Sequence, residues 1–349
     1  MIIKNIAIEN FTVFNKIEMD FCDGVNVIIG ENGTGKTHLL KLIYTLQYLH
    51  KPLKREKGYV PLTEIFSGHM ANGIYHLASF VANDEKNAKR ICIGVSEHMS
   101  GVVTDGHGIL NDPAVQQSFA TESKATIKST QPFNAVFIPA KEVLSMSELN
   151  RIYDRYSNNL DIDRTIIDIV KLALHPNPND VPKLAQMLAK CLEKEIDGKV
   201  YVDSQTMRFW ILKNDGTKIP FNMEAEGYRK LGLLWQLLMN ESIAPGSVLL
   251  WDEPEANSNP MLIPVVADVL MELARSGVQI FLTTHDYLFA KYFEVRRTDS
   301  DLVCFHSLHK SNEGVKYESN ENFRDLKENP IITAYDNLLD EVIRLNLGD

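Results

Sequence analysis

Three short stretches carry side chains of kinds, and at spacings, that chemistry can use. Gly30-Glu31-Asn32-Gly33-Thr34-Gly35-Lys36-Thr37 sets its glycines ahead of a lysine and a threonine in the spacing GxxxxGK[ST]. Glycines at those places let backbone N–H groups curl round an anion, and a helix starting at the end of the loop adds the partial positive charge of its N-terminus. Gly30 through Thr37, with His38 next in the helix, therefore form a candidate phosphate cradle. Lys36 would meet the β- and γ-phosphates, and the Thr37 hydroxyl would sit on Mg²⁺. Val248-Leu249-Leu250-Trp251-Asp252-Glu253 ends an apolar run in two carboxylates. Asp252 would hold the metal and Glu253 would act as general base on an attacking water. Ile280 to Leu282 leads into Thr283-Thr284-His285-Asp286, where the His285 imidazole could contact the γ-phosphate and link to Glu253. His306 and His309 have metal-like HxxH spacing but no third ligand in sight, and read as structural.

These residues need elements to hold them. Ile2 to Ile8 and Ile17 to Phe21 alternate as half-buried strands, with a turn at Asp23-Gly24. Val25 to Ile29 reads as a buried strand and His38 to Leu49 as an amphipathic helix, so the glycine loop falls between strand and helix. Residues 51–135 read as surface hairpins and loops, with a strand near Ile91 to Val95 and a polar stretch around 111–131. Ala135 to Ile138 is an apolar strand ended by Pro139, and helical segments follow to about Ile196. Val200 to Ile211 and Lys218 to Phe221 flank Asn214-Asp215-Gly216, a hairpin turn. Met223 to Asn240 reads as a buried helix, then strand Val248 to Trp251, helix Pro260 to Arg275 and strand Ile280 to Leu282, an alternation that builds a parallel sheet. Leu302 to Leu308 is a last strand, and Ile332, Tyr335, Leu339 and Val342 share one face of a closing helix. The expected organisation is one domain over 1–349: N-terminal sheet and loop (1–50), insertion (51–135), helical lobe (140–198), and a remainder (199–349) carrying the Asp-Glu strand and the histidine.

Composition narrows the classes. The 349 residues are 44% hydrophobic and 23% charged, with 46 acidic against 36 basic residues and a net charge of −10. That balance argues against a generally basic, nucleic-acid-coating protein, and one short basic patch (Lys51, Lys54, Arg55, Lys57) offers nucleic acid little support. No apolar run approaches the roughly 20 residues of a membrane span, and the N-terminus lacks the apolar core of a secretion signal, so a cytoplasmic protein without a membrane partner is expected. The scattered Cys22, Cys92, Cys191 and Cys304 read as buried reduced thiols.

On IENFTVFNKIEMDFCDGVNVIIGENGTGKTHLLKLI, LLWDEPEANSNP and TTHD, the chain resembles ABC-type ATPase heads of the RecF, SMC and OLD kind. The resemblance implies an α/β P-loop NTPase fold: a mixed or parallel β-sheet core, an antiparallel β-subdomain and a helical lobe. It implies ATP and Mg²⁺ as cofactors and ATP hydrolysis as the activity. Glu255 through Asn259 would correspond to the family's D-loop, and Pro139 to Glu142 to its lobe-linking loop. The signature that meets ATP on an opposite subunit would correspond to Ala225-Glu226-Gly227-Tyr228-Arg229-Lys230. Gly227 fits, whereas Ala225 and Glu226 replace the usual serine and glycine, and Arg229 could supply positive charge instead. Only 216 positions separate Lys36 from Asp252, without heptads, so SMC-type coiled coils are absent. The 64 residues after His285 are too few for the nuclease domain of full-length OLD proteins.

GENGTGKTHLLK, FIPAKEVLSM and AEGYRKLG look like the ATPase members of two-gene bacterial anti-phage systems. The expected function is an ATP-binding, slowly hydrolysing switch that assembles as a homodimer or higher homo-oligomer and controls a separate effector, a nuclease or toxin. The alternative is a RecF-like, ATP-dependent DNA clamp in repair or recombination.

Overall fold

The computed structural model describes residues 3–45, 89–95, 100–103, 121–129, 134–146, 163–203 and 205–347. The basic patch at 51–57, the end of the first predicted helix (46–49) and part of the polar stretch (111–120 and 130–131) lie outside the described residues. In chain order the elements are β1 (Ile3–Phe11), β2 (Phe14–Asp20), β3 (Val25–Gly30), α1 (Lys36–Thr45), β4 (Lys89–Val95), β5 (Ser100–Val103), β6 (Thr121–Ser129) and β7 (Ala135–Ile138). There follow α2 (Arg164–Ala173), α3 (Lys183–Ile196), β8 (Gly198–Asp203), β9 (Arg208–Lys213), β10 (Lys218–Pro220), α4 (Glu226–Met239) and β11 (Val248–Trp251). The last are α5 (Ile263–Arg275), β12 (Gln279–Thr283), α6 (Tyr287–Arg296), β13 (Val303–Ser311), β14 (Gly314–Asn320) and α7 (Pro330–Leu347).

The core sheet runs β14-β13-β3-β12-β11-β7, parallel throughout except for the antiparallel edge strand β14. Every residue of β3, β7, β11 and β12 is buried. That is why these strands appear in the sequence as continuous apolar runs rather than alternating ones. The pleat sorts them into two cores. Val25, Val27, Ile29, Leu249, Trp251, Ile280 and Leu282 face a cluster shared with α2 to α6. Ile28, Val248, Leu250 and Phe281 face one shared with α1, β1 and β2. The fold is thus α/β, with the predicted mixed core sheet, a largely antiparallel subsheet and a helical lobe.

Several expectations change on inspection. The described residues 89–95, 100–103 and 121–129 are not only surface hairpins, because β6 pairs antiparallel with β1 and parallel with β4 inside a five-stranded sheet ordered β2-β1-β6-β4-β5. Polar composition concealed a strand whose register is set by partners distant in sequence. Val200 to Ile211 is two strands, β8 and β9, divided at Met207, whose φ is +57°. With β10 they form a three-stranded sheet beside α3 and α4. The closing helix forms, but docking is confined to its first two turns. Ile331 and Ile332 pack on the core and the Tyr335 ring stacks on Tyr287 with centroids 4.7 Å apart. Tyr335 is nonetheless 43% exposed, as are Leu339 and Val342 farther along the same stripe. The thiols also depart from expectation: Cys22 and Cys304 are half-buried and Cys191 is exposed on the outer side of α3, all of them unbridged. Among the described residues, no helix is long and apolar enough to cross a membrane.

Candidate functional site

The C-terminal ends of parallel strands are where an α/β sheet leaves room for a ligand. Here β3, β11 and β12 deliver Gly30, Asp252 and Thr283 to one rim. The chain leaves β3 through a loop with positive φ at Gly33 (+79°) and Gly35 (+87°) before entering α1. At Gly35 a side chain is excluded by more than φ, since a Cβ would lie 2.6 Å from Val13 Cγ2 and 2.7 Å from Phe14 Cζ. The β1–β2 turn therefore props the loop from outside. Thr34 is buried and its hydroxyl donates to the Glu31 carbonyl at 2.8 Å, closing the loop on itself.

Lys36, 7% exposed, donates to the carbonyls of Gly30 (2.8 Å) and Glu31 (2.9 Å). Burial lowers its pKa to about 8, and the nearby Lys310 ammonium pushes the same way against Glu253 and Asp252. The Thr37 hydroxyl donates to Asp252 Oδ2 at 2.8 Å, while the Thr283 hydroxyl donates to Asp252 Oδ1 at 2.6 Å. Asp252 is thereby held by both oxygens, with its carboxylate at the loop's end.

Glu253 follows with φ of +46°, a left-handed conformation that costs a residue of this type roughly 1–3 kcal/mol and is found where surrounding structure enforces it. Its N–H donates to Thr283 Oγ1 at 3.0 Å. Its carboxylate reaches to 3.4 Å from His285 Nε2, and both side chains are about one-third exposed. Burial, and next the Lys36 charge, hold the His285 pKa below the ordinary histidine value, so the imidazole is neutral at pH 7. Glu255, whose pKa is raised by burial, accepts from Thr284 Oγ1 (2.6 Å) and from the His285 N–H (3.1 Å), fixing the histidine's backbone.

These groups surround a cavity of about 220 Å³. The loop contributes Asn32, Gly33, Gly35, Lys36, Thr37 and His38; Glu253 and His285 face them, and Val13 closes one side. Of the residues singled out from the sequence, these eight from the loop and the two strand ends come together. Gly30, Glu31 and Thr34 shape the loop without lining the cavity, and the Glu31 carboxylate lies 3.7 Å from Lys310 instead. Asp252 sits behind Thr37.

Gly227 and Arg229 do not reach this cavity. A Cβ on Gly227 would lie 3.4 Å from the Ser258 Cα, so this glycine serves close packing on the loop after Glu253. Arg229 is paired with Glu142, Nη1 to Oε2 at 3.1 Å, and the carboxylate is 2% exposed. Glu142 also accepts N–H groups from Leu144 and Ser145 through Oε1. The Pro139 to Glu142 segment thus turns to Arg229, not to the cavity. Sequence reasoning missed Thr283 and Val13 as site residues, and it named Glu142 and Lys230 only within the lobe-linking and signature stretches, without the contacts they make. Only Thr283 carried a signal, as a hydroxyl at the end of a buried strand. His306 is structural: it is fully buried, its Nε2 is 3.1 Å from Asn26 Oδ1, and burial drives its pKa down to about 3. Among the described residues, no group of three or more His, Cys, Asp or Glu side chains is placed to hold a metal.

Comparison with known proteins gives two family matches. Residues 1–96 match a model described as "AAA ATPase domain", and residues 140–290 match one described as "AAA domain, putative AbiEii toxin, Type IV TA system". The chain is 50% identical over 46 residues to "DNA replication and repair protein RecF" of Bacillus thuringiensis (strain Al Hakam) and of Bacillus cereus (strain B4264). Those 46 residues are 13% of this chain, which spans 12% of the length of these relatives. Among solved structures, the chain is similar to the SMC head bound to the C-winged helix domain of ScpA, with 12% identity and a TM-score of 0.49, covering 92% of this chain and 98% of that one. It is also similar to the SMC head domain from Thermotoga maritima, with 13% identity and a TM-score of 0.44, covering 92% and 100%. The segments that carry the glycine loop and the Asp-Glu pair are thus both similar to AAA-type ATPase domains.

Proposed function

We propose that this chain binds ATP with Mg²⁺ in the cleft and hydrolyses it slowly, as a switch that assembles with itself and controls a separate effector protein. The observation that carries the reading is the convergence of Lys36, Thr37, Glu253 and His285 from three separate strand ends onto one small cavity, with Asp252 held directly behind Thr37. At about 220 Å³ the cavity falls below the roughly 300 Å³ at which pockets for whole small ligands begin. It suits phosphate groups, with the remainder of a nucleotide lying outside.

The donor set fits the cofactors. Thr37 and Asp252 present a hydroxyl and a carboxylate 2.8 Å apart, hard oxygen donors of the kind Mg²⁺ takes in ones and twos alongside phosphate oxygens. These two residues would hold the ion. Bound Mg-ATP would supply the electrophilic γ-phosphoryl group and neutralise its charge. The loop amides and Lys36 orient the phosphates, and Lys36 would exchange its two carbonyl partners for phosphate oxygens. Glu253 takes the proton of the attacking water. Because His285 is neutral, it can hydrogen-bond Glu253 without forming the ion pair that would reduce the carboxylate's basicity.

The effector half of the reading draws on the match of residues 140–290 to a domain described with a toxin–antitoxin system, and on the resemblance of the sequence motifs to ATPases of two-gene anti-phage defence. A second reading, an ATP-dependent DNA clamp, is favoured by the 50% identity to RecF over 46 residues.

The test uses Glu253→Gln. Phosphate release should fall by a factor on the order of 10² to 10⁴ while ATP stays bound. Purified with Mg-ATP from its native cells, this variant should bring down one nuclease- or toxin-like protein, identified by mass spectrometry. Recombination proteins and DNA in its place would support the clamp. A phosphate-release rate unchanged from wild type would leave a nucleotide-sensing module without turnover.

A further inference from the structure

Lys230 lies in the second turn of α4 and is 2% exposed. Among the described residues, its ammonium pairs with no carboxylate. It donates instead to two main-chain oxygens, the Glu253 carbonyl at 3.3 Å and the Ala256 carbonyl at 2.5 Å. A cation taken out of water and given only carbonyl partners is costly, and burial accordingly lowers its pKa. The charges of Glu226, Glu255, Glu253 and Asp252 oppose that shift. The place where this cation stands is therefore informative.

Both acceptors belong to the segment 253–259, whose backbone takes positive φ at Glu253 (+46°) and Asn257 (+58°). The first turns of α4 grip that segment at two further points. Asn257 Nδ2 donates to Glu226 Oε1 at 3.2 Å, and Gly227 packs on the Ser258 backbone. Lys230 is the contact that reaches the residue bearing the base. On the opposite side, the Glu253 N–H is held by the Thr283 hydroxyl of β12. The two peptide groups flanking the Glu253 Cα are thus clamped, one by a side chain from the sheet and one by a side chain from α4. With both fixed, the left-handed conformation at Glu253 is enforced and its carboxylate is aimed at the cavity.

We propose that Lys230 is the positioning residue for Glu253, tying the direction of the base to the placement of α4, so that a shift of this helix withdraws or delivers the carboxylate. The proposal rests on the ATPase reading. It adds that the helix carrying Gly227 and Arg229 acts on its own chain's site through a buried ammonium.

The experiment is a double-mutant cycle on the full chain, with phosphate release and the affinity for a fluorescent ATP analogue measured for wild type, Lys230→Met, Glu253→Gln and the double variant. A displacement of about 1 Å in a reacting group costs on the order of 10²-fold. Lys230→Met should therefore lower kcat about 10- to 100-fold with affinity within about twofold of wild type. The double variant should be no slower than Glu253→Gln alone, because the positioning has nothing left to aim. Lys230→Gln keeps an N–H donor and should regain part of the loss; it also replaces the methionine variant in the cycle if that one does not fold. Losses that multiply in the double variant, or affinity falling in step with kcat, would overturn the proposal. Absence of turnover in wild type would defeat the ATPase reading itself, whereas wild-type turnover with multiplying losses would defeat the role of Lys230 alone.

Discussion

The glycine loop and the start of α4 are both helix N-termini marked by glycine, yet their side chains are committed differently. At the loop, Lys36 rests on two carbonyls that an anion can replace, and the residues beside it face a cavity. At α4, Ala225 provides no side-chain cap, Gly227 packs on Ser258, Arg229 holds Glu142, and Lys230 is buried beneath the loop that follows Glu253. On the proposed reading, one end receives its ligand within a single chain. The other first serves its own interior, so an approach of Arg229 to a nucleotide on a second subunit requires it to leave Glu142.

The contrast breaks most readily at Arg229. Removing one partner of a buried pair costs about 3–5 kcal/mol, and the 17% exposure of the arginine places this case toward the lower end. Arg229→Ala should lower the Tm by several degrees in scanning calorimetry while leaving ATP affinity alone. An unchanged Tm with collapsed turnover would show that the arginine acts on nucleotide rather than on Glu142.

A smaller effect is expected at the loop. Charge-assisted hydrogen bonds are worth about 1.5–3 kcal/mol, so Lys36→Ala should weaken ATP binding roughly 10- to 100-fold in a fluorescence titration. Intact affinity would remove the cavity from the phosphate reading.

The smallest signal sharpens the comparison by titration. Burial holds the Lys36 pKa at about 8, below its unfolded value, and phosphate oxygens would raise it. ATP binding should take up a fraction of a proton at about pH 8.5 and almost none near pH 6.5, read by calorimetry in buffers of different ionisation enthalpy. Affinity should weaken as pH rises through about 8. Folding stability should behave oppositely: a depressed lysine pKa opposes folding at low pH, so that cost fades as pH climbs above about 8. Lys36→Ala should abolish both effects.

What could be read from the sequence was whatever lies contiguous in it. The loop, the Asp-Glu pair and His285 each sit at the end of an apolar run, and a fully buried parallel strand makes that run unmistakable. Thr283 escaped as a functional residue because its hydrogen bond to Asp252 depends on β11 and β12 lying side by side, a pairing 31 residues apart. The contacts of Glu142 and Lys230 were hidden for the same reason: a buried charge is explained by its partner, and these partners are distant in sequence. β6 was hidden because its polar residues give no period, and its strand character comes from β1 and β4 on either side. The apolar stripe of α7 was visible, but periodicity cannot say whether anything within the chain covers it.

β3 has consequences for how the molecule comes apart. It is hydrogen-bonded along both edges, to β12 and to β13, and buried on both faces. Amides so placed exchange with solvent only when the whole domain opens, whereas the outer turns of α7, exposed beyond Thr333, exchange through local fraying. The loop hangs directly from that protected strand. Nucleotide binding should consequently persist through partial openings elsewhere and vanish together with the sheet, which makes its loss a reporter of global unfolding.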